Sequence, residues 1–255
     1  MLPRFFCPIP LSVGSDIVLP RELAHHAGQV LRLRGGDEVA LFNGEGGEFR
    51  GTLGGAGREL HVSLNVYDAA DRLAALDITL VQALAVADKM DWIVQKAAEL
   101  GVRRVQPVAA ERSVLKLVGD RETKRLAHWR QIAVSAAEQC GCNLPLQVDA
   151  LQSLAQWLEK FLAAAMDTDS GARQADHAMQ RWILHPEEGV RLSTLPRPTG
   201  PVALLIGPEG GWSPKELAAA KKAGCQPVAL GPRVLRTETA GLAAVAAMSA
   251  LWGDF

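Results

Sequence analysis

From Leu76 onward the chain alternates apolar strands with amphipathic helices, and this alternation restricts its fold more than any other feature. Residues 77–84 are predicted to form a mostly apolar strand, and residues 105–109 a second one. Asp88 is the predicted N-cap of the helix between them, and Gly101 is expected to end that helix. Because strands that alternate with helices pair in parallel and are covered on both faces, this part of the chain predicts an α/β fold.

The same pattern continues to the end of the chain. A long helix is predicted to begin at Asp120, and further strands are predicted at residues 182–184, 202–206 and 227–230. Hydrophobic residues make up 48% and charged residues 22% of the 255 positions, which excludes a disordered chain.

The first 73 residues have a different texture. Glycine-rich turns separate short runs of alternating apolar and polar residues, such as 38–42 and 60–64, and this spacing predicts a small antiparallel barrel or sandwich. One helix is predicted between Pro20 and Leu31. The length fits two domains or one large α/β unit, and the change of texture favours two domains, which we place at residues 1–73 and 74–255.

The charge balance limits the class of partner. Lys plus Arg number 27 and Asp plus Glu 28, which excludes a uniformly basic nucleic-acid binder but not a local basic face. Residues 88–130 contain ten Lys or Arg against six Asp or Glu. This excess fits an RNA-binding surface, although a solvated helix face would also explain it.

Several features argue against a metal site and against a membrane protein. Of the four cysteines only Cys140 and Cys142 are close together, in a C-x-C too sparse for a closed zinc site, so no metal is predicted. The N-terminus does not read as a signal peptide, and the last apolar helix, residues 242–252, is short of the roughly 20 residues that span a bilayer. We therefore expect a cytoplasmic protein.

The sharpest local feature is a glycine turn after the strand at residues 202–206. Gly-Pro-Glu-Gly-Gly at residues 207–211 precedes a helix for which Ser213 and Glu216 form a capping box, with Pro214 at the first helical position. Ligands of open α/β sheets bind beyond the carboxyl ends of the strands. The chain has neither a P-loop nor a G-x-G-x-x-G motif, and a turn that only joins strand and helix is the alternative interpretation.

A second loop, residues 230–240, again follows an apolar strand and precedes an apolar helix, with Thr237 as the predicted N-cap. Arg236 is expected beside the helix N-terminus, where unpaired N–H groups favour negative charge. The alternative is a surface arginine paired with Glu238. Two such loops at one sheet edge predict a ligand pocket.

Together, residues 205–211 (Leu-Ile-Gly-Pro-Glu-Gly-Gly) and 230–240 (Leu-Gly-Pro-Arg-Val-Leu-Arg-Thr-Glu-Thr-Ala) resemble the signature of the SPOUT (trefoil-knot) RNA methyltransferases, in particular their RsmE branch. The resemblance covers the whole chain, since further matches occur in the same order at residues 4–6, 25–26, 30–32, 36–37, 96–102 and 136–141. Cys142 departs from the branch, which usually has Arg there, and the loop at residues 167–176 has no counterpart that we can place.

The resemblance implies a fold and an activity. It implies an N-terminal PUA-like β-barrel that helps to hold RNA, and a C-terminal knotted α/β SPOUT domain that binds S-adenosylmethionine. It further implies a homodimer that methylates N3 of one uridine in the decoding region of 16S ribosomal RNA in the small subunit. Two alternatives stay open: a SPOUT enzyme acting on transfer RNA, and a non-catalytic RNA-binding assembly factor.

Candidate site residues follow from the two loops and from the resemblance. Arg236 is the predicted catalytic residue, because a fixed cation would stabilise the negative charge on a uridine that has lost its N3 proton. Glu209 or Glu238 could act as the general base, but each is equally well explained as a turn or first-turn residue, so no base is assigned. The predicted cofactor-binding residues are His185, Leu205, Ile206, Gly207, Glu209, Gly210, Gly211, Leu230, Gly231, Val234 and Leu235. The predicted RNA-binding residues are Arg4, Arg32, Arg34, Arg103 and Arg112. Trp212 is expected either to stack on a base or to cover apolar surface.

Overall fold

The structure is a computed structural model that describes residues 2–55, 59–166 and 179–255. The unplaced loop at residues 167–176 lies outside these ranges. The chain forms two compact units: unit 1 comprises Met1–Leu73 and Val134–Pro145, and unit 2 comprises Ala74–Ala133 and Leu146–Phe255. The sequence predicts one boundary, between residues 73 and 74, whereas unit 1 also takes a second segment from the middle of the chain.

Unit 1 is built on a five-stranded sheet with the strand order β1-β3-β4-β5-β2. Its strands are β1 (Arg4–Phe6), β2 (Asp16–Val18), β3 (Glu38–Phe42), β4 (Glu48–Gly54) and β5 (His61–Asp68). β1 pairs in parallel with β3, and the other pairs are antiparallel. The strand predicted at residues 38–42 is confirmed, and the one at residues 60–64 extends further, to Asp68.

The predicted N-terminal helix is present but not uniform. Helix α1 (Arg21–His25) continues as a π-helical turn, His26–Val30, and Arg32, with a φ of 57°, follows it in the left-handed region. Alanines of this segment pack into the apolar core of unit 1.

Hydrogen bonds to two side chains explain why the chain returns to unit 1 at Val134–Pro145. The backbone N–H of Phe6 donates to Glu138 Oε1 at 2.9 Å, and burial raises the pKa of this carboxyl. Asn143 is wholly buried and accepts a bond from Arg4 Nη2 at 2.6 Å. These residues complete the hydrogen bonding of strand β1.

Unit 2 is an eight-stranded sheet in which every strand pair is parallel, as predicted. The strand order is β11-β13-β10-β12-β6-β7-β8, with β9 beside β7. The strands are β6 (Ile78–Ala83), β7 (Arg104–Ala109), β8 (Gln147–Val148), β9 (Gln152–Ser153), β10 (Gln180–Leu184), β11 (Val190–Arg191), β12 (Val202–Ile206) and β13 (Gln226–Ala229). The further helices are α2 (Ala87–Glu99), α3 (Asp120–Cys140), α4 (Leu154–Met166), α5 (Pro214–Lys222) and α6 (Thr237–Trp252).

Helices cover both faces of this sheet. Successive strand residues point to opposite faces, so Val81 and Leu205 pack in the core beneath α4 and α5, whereas Leu80 and Ile206 approach Gly241 of α6. A Cβ at Gly241 would lie 3.2 Å from side-chain atoms of both residues, so glycine allows α6 to approach the sheet closely.

Two predicted helix caps are wrong and two helix-end predictions are confirmed. Helix α2 begins at Ala87, so Asp88 lies in its first turn and does not cap the helix. Its negative charge there interacts favourably with the helix dipole. Thr237 is the first residue of α6, not its N-cap. Gly101 follows α2 with a φ of 77°, and Ser213 and Glu216 form the predicted capping box. Within the described ranges, no helix is long and apolar enough to cross a membrane.

Candidate active site

The carboxyl ends of three neighbouring strands, β13, β10 and β12, open onto a cavity of about 660 Å³. The two glycine loops, residues 207–213 and 230–236, form much of its wall, and residues 184–187 after β10 complete it. The volume lies within the range of small-molecule and cofactor sites. A Cβ on Gly211 or Gly231 would meet no atom within 4 Å, so both Cα atoms face open space that a ligand can fill.

The structure brings most of the predicted site residues together. The residues that line the cavity are His185, Ile206, Gly207, Glu209, Gly210, Gly211, Leu230, Gly231, Val234, Leu235 and Arg236. Leu205 does not line it, because its side chain is wholly buried on the sheet face covered by α4 and α5. Lys89, Arg112 and Thr237 also line the cavity, and the sequence did not assign them to it.

Glu209 anchors the first loop to helix α2. Its Oε1 accepts a hydrogen bond from the backbone N–H of Val86 at 3.1 Å and pairs with Lys89 Nζ at 3.3 Å. Burial acts to raise the pKa of Glu209, but backbone hydrogen bonds and Lys89 outweigh it, and the pKa falls below its usual value. A carboxylate with a lowered pKa and two partners is poorly suited to accept a proton.

Lys89 joins the two loops. Its ammonium lies 3.3 Å from Glu209 and 3.2 Å from Glu238. Burial acts to lower the pKa of Lys89, but hydrogen bonds and charge from the two glutamates outweigh it and raise the pKa. Glu238 therefore pairs with Lys89, not with Arg236. No local pattern in the sequence indicates a role for Lys89, because its partners are far away along the chain.

Arg236 is the N-cap residue of α6 and provides no side-chain cap. Its side chain is exposed, and no hydrogen bond or ion pair to it is found in the part of the chain that the structure describes. The interpretation of Arg236 as a surface partner of Glu238 is wrong. Its guanidinium and the first N–H groups of α6 are available to a ligand at the cavity wall.

Arg112 supports the first loop from outside. Its Nη1 donates to the carbonyl oxygens of Gly210 at 3.1 Å and Trp212 at 3.4 Å. A Cβ on Gly210 would lie 3.0 Å from the Cβ of Arg112, a tight contact, so glycine favours the close approach of these two residues. Trp212 itself is 7% exposed and packs in the core with Leu217, which favours a covering role over base stacking.

His185 follows β10 at the far side of the cavity. Its Nδ1 accepts a hydrogen bond from the backbone N–H of Glu188 at 3.2 Å, which assigns the hydrogen of a neutral ring to Nε2. Its own backbone N–H donates to the carbonyl of Val228 at 3.0 Å. These bonds fix the ring beside the loop that follows β13.

The predicted RNA-binding arginines have different environments. Arg32 and Arg34 are exposed on unit 1. Arg103 is half-buried and donates to the carbonyl of Ala74 at 3.4 Å. Arg4 is only 7% exposed, because it pairs with the buried carboxylate of Glu48 and stacks 5.0 Å from the Phe42 ring centre, which favours a structural role over the predicted contact with RNA. Among the described residues, no group of His, Cys, Asp and Glu is arranged to hold a metal ion.

Comparison with known proteins identifies both parts of the chain. Residues 72–249 match the model of the RNA methyltransferase domain family, and residues 19–63 match the RNA methyltransferase PUA domain. The ribosomal RNA small subunit methyltransferase E of Bacillus subtilis is 30% identical over 232 residues, which are 89% of this chain and 87% of that protein.

Two solved structures are similar over the full length of both chains. The ribosomal RNA small subunit methyltransferase E of Neisseria gonorrhoeae, bound to S-adenosyl methionine, is 36% identical, covers 100% of each chain and has a TM-score of 0.88. A Legionella pneumophila protein in complex with the cofactor SAM is 32% identical, covers 100% of each chain and has a TM-score of 0.87. The chain described above belongs to the ribosomal RNA small subunit methyltransferase E family.

Proposed function

We propose that this protein transfers a methyl group from S-adenosylmethionine to N3 of one uridine in the decoding region of 16S ribosomal RNA in the small subunit. The observation that carries the proposal is the cavity between two glycine loops, with an unpaired arginine at its wall, in a chain of this family. The uridine N3 position and the decoding region come from the motif resemblance at residues 205–211 and 230–240.

The cavity suits S-adenosylmethionine better than a nucleoside phosphate. The loops from 207 to 211 and from 230 to 236 contain no lysine and lack the spacing of a phosphate cradle. Glycine Cα atoms facing open space let backbone N–H and C=O groups contact the cofactor directly. We assign cofactor binding to the predicted cofactor-binding residues that line this cavity, with apolar contacts from Ile206, Leu230 and Leu235.

The chemistry assigned to Arg236 is electrostatic. When bound, S-adenosylmethionine would supply an electrophilic methyl group: its S–CH3 bond would break as the N3–C bond forms, S-adenosylhomocysteine would remain, and the N3 proton would pass to water. The N3 atom lies on the Watson-Crick edge, so the base must be unpaired or flipped out before reaction. The guanidinium of Arg236 stabilises the negative charge that the ring gains as the proton departs. Glu209 and Glu238 are both engaged by Lys89, so we assign neither as the base.

RNA is held outside the pocket in this proposal. We assign residues 1–73 to a PUA-like RNA-binding domain and 74–255 to the methyltransferase domain. The exposed Arg32 and Arg34 and the basic residues of 88–130 are suited to phosphate contacts, which would weaken as salt rises. We infer that the protein works in the cytoplasm, where a ribosomal RNA substrate would be available.

The proposal includes a homodimer. Helix α6 is rich in alanine and leucine, and Leu251 near its end is 45% exposed, which suits burial against a second copy. Light scattering is expected to give twice the chain mass of 27.3 kDa. An active species of one chain mass would contradict the dimer.

The experiment that tests the function uses small subunits from a strain that lacks this gene. Purified protein and S-adenosylmethionine are added, and the modified nucleoside is identified and mapped by mass spectrometry. We expect one N3-methyluridine in 16S ribosomal RNA. Methylation of transfer RNA instead, or binding to the subunit without methyl transfer, would each overturn the proposal in favour of one alternative.

A further inference from the structure

A buried chain of hydrogen bonds connects the central strand β6 to both glycine loops. The side-chain amide of Gln82 donates through Nε2 to Thr237 Oγ1 at 2.9 Å, and the Thr237 hydroxyl donates to the carbonyl of Gly207 at 2.6 Å. Gln82 is wholly buried and Thr237 is 5% exposed. We call these three residues the Gln82–Thr237–Gly207 relay.

The direction of this relay is fixed by its surroundings. The amide of Gln82 also donates to the carbonyl of Ala83 at 2.9 Å, so turning it over would bring Oε1 against a carbonyl oxygen. Its Oε1 is buried and has no hydrogen-bond partner among the described residues. An unpaired buried acceptor costs free energy, and an apolar side chain would avoid that cost at the end of an otherwise well-buried strand. Stability alone therefore does not account for glutamine at this position.

The relay contacts the start of the loop after β12 and the start of helix α6. Gly207 is the first residue of the loop after β12, and Thr237 directly follows Arg236 at the start of α6. The peptide between Gly207 and Pro208 has no N–H, so hydrogen bonding can orient it only through the carbonyl that Thr237 binds. One hydroxyl thus sets the distance between the first loop and the backbone that carries Arg236.

We propose that Gln82 and Thr237 are positioning residues that hold the two loops in register for the cofactor and for Arg236. This inference rests on the proposed methyl transfer. Close packing supports it, because Gly241, one helical turn after Thr237, lets α6 approach the strands that carry Leu80 and Ile206. The hydroxyl of Thr237 is thereby brought within hydrogen-bonding distance of both of its partners.

The principal test compares two substitutions of Thr237. Thr237→Val keeps the shape and removes the hydroxyl, and we expect the Kd for S-adenosylmethionine to rise about 10-fold and kcat to fall by a similar factor. Thr237→Ser keeps the hydroxyl, and its Kd is expected to stay within about 3-fold of wild type. Calorimetry and single-turnover kinetics on unmethylated small subunits measure both quantities. If valine and serine give the same Kd and kcat, the relay has no positioning role.

A double substitution tests whether the two side chains act as one unit. Gln82→Met removes the first donor at similar volume. Because both changes break the same chain, the double variant should bind cofactor no more weakly than Thr237→Val alone. If the two substitutions raise the Kd for the cofactor by factors that multiply, Gln82 and Thr237 do not act as one unit.

Gln106 on the adjacent strand β7 is a matched control. It is also a buried glutamine, 4% exposed, and its Nε2 donates to the carbonyls of Pro107 and Ala150 at 2.8 Å. None of these residues lines the cavity. Its Oε1 also accepts a hydrogen bond from Gln152 Nε2 at 2.5 Å, so we expect Gln106→Met to lower the melting temperature more than Gln82→Met does but to leave the Kd unchanged. An equal loss of affinity in the Gln106 variant would show that general destabilisation explains both results.

Hydrogen exchange without cofactor separates this inference from the proposed function. Amides in residues 209–212 and 237–240 should exchange faster in Thr237→Val and at the wild-type rate in Gln106→Met. If wild-type protein binds no S-adenosylmethionine, yet exchange is faster in Thr237→Val and unchanged in Gln106→Met, the proposed function fails while the coupling of the loops stands. If wild type binds the cofactor and Thr237→Val leaves both exchange and Kd unchanged, the relay fails alone.

Discussion

The two glycine loops of the cavity lead into helices that differ in how their N-termini are capped. At α5, Ser213 Oγ accepts from the backbone N–H of Glu216 at 3.2 Å, and Glu216 Oε2 accepts from the N–H of Ser213 at 2.9 Å. Glu216 also accepts from the N–H of Glu111 at 2.8 Å. At α6 the N-cap residue is Arg236 and no side chain caps the helix. The N-terminus of α5 is therefore capped by its own residues, whereas the N-terminus of α6 keeps backbone N–H donors available for a ligand.

This difference assigns separate tasks to the loops. The first loop is held by its capping box, by Glu209 on α2 and by Arg112 on its carbonyls, so it is suited to present a fixed cofactor surface. The second loop carries the exposed guanidinium of Arg236, which has no partner among the described residues. We therefore expect substitutions in the second loop to change turnover and those at the first helix end to change stability.

The largest expected effect is that of Arg236→Ala. Loss of one preorganised charge-stabilising donor should lower kcat by about 10²- to 10³-fold, while the Kd for S-adenosylmethionine changes less than about 3-fold. Arg233 also lines the cavity but does not stand beside the first turn of α6, so Arg233→Ala, which removes the same charge, is expected to lower kcat less than about 5-fold. Turnover at the wild-type rate in the Arg236 variant would show that the second loop does not contribute to the methyl-transfer step.

A smaller effect is expected from alanine at the glycines of the two loops. Gly231 has a φ of 146° and Gly211 a φ of 66°, and a Cβ at either would meet no atom within 4 Å. The strain is therefore confined to the backbone, and it is greater at Gly231 because L residues do reach a φ near 60°. We expect calorimetry to show about a 10-fold weaker Kd for Gly231→Ala and about 3-fold for Gly211→Ala. The reverse order would contradict this comparison.

Ser213→Ala tests the first helix end. Removal of the capping oxygen should lower the free energy of unfolding by about 1 kcal/mol in urea titration. Turnover by the folded variant should stay within about 2-fold of wild type, because the change leaves the second loop untouched. A loss of turnover comparable to that of Arg236→Ala would mean that the two helix ends do not have separate tasks.

The smallest effect concerns acid stability. Burial acts to raise the pKa of Glu209, but its hydrogen bonds and Lys89 lower it overall from the ordinary 4.5. A lowered folded pKa adds stability above the unfolded value, and this stability is lost as pH falls through the folded pKa. Glu209→Gln should therefore be less stable than wild type at pH 7, with the difference shrinking below about pH 4.5.

Glu188 provides the control for this pH dependence. Its pKa is also lowered, by a hydrogen bond and charge from Lys221, but the carboxyl is fully exposed. Salt should remove the effect of Glu188→Gln and preserve most of the effect of Glu209→Gln, because exposed pairs are screened more strongly. Equal sensitivity to salt would show that Glu209 contributes only a surface ion pair.

The sequence predicted those features that depend on neighbouring residues. Strand β12 and strand β3 have the predicted bounds, and the capping box at Ser213 is present, because each follows from a short local pattern. The position of both loops at one sheet edge followed from the parallel arrangement of the strands.

Features that depend on distant partners were missed. The motif at residues 4–6 predicts that Arg4 contacts RNA, but Arg4 is buried against Glu48 and Asn143. Thr237 has the residue type of an N-cap, but its hydroxyl bonds to Gly207, which only the tertiary fold brings close. A glutamine in the apolar strand β6 was the one available signal for this contact, since a buried amide needs a partner.

The return of the chain to unit 1 at Val134–Pro145 has a consequence for biosynthesis. Strand β1 leaves the ribosome early, but Glu138 and Asn143, which bond to Phe6 and Arg4, are made much later. At about 5–20 residues per second, the growing chain waits several seconds for them. Unit 1 therefore reaches its final form only after part of unit 2 has been translated. A chimera that exchanges residues 1–73 between relatives must also carry residues 134–145 to preserve this packing.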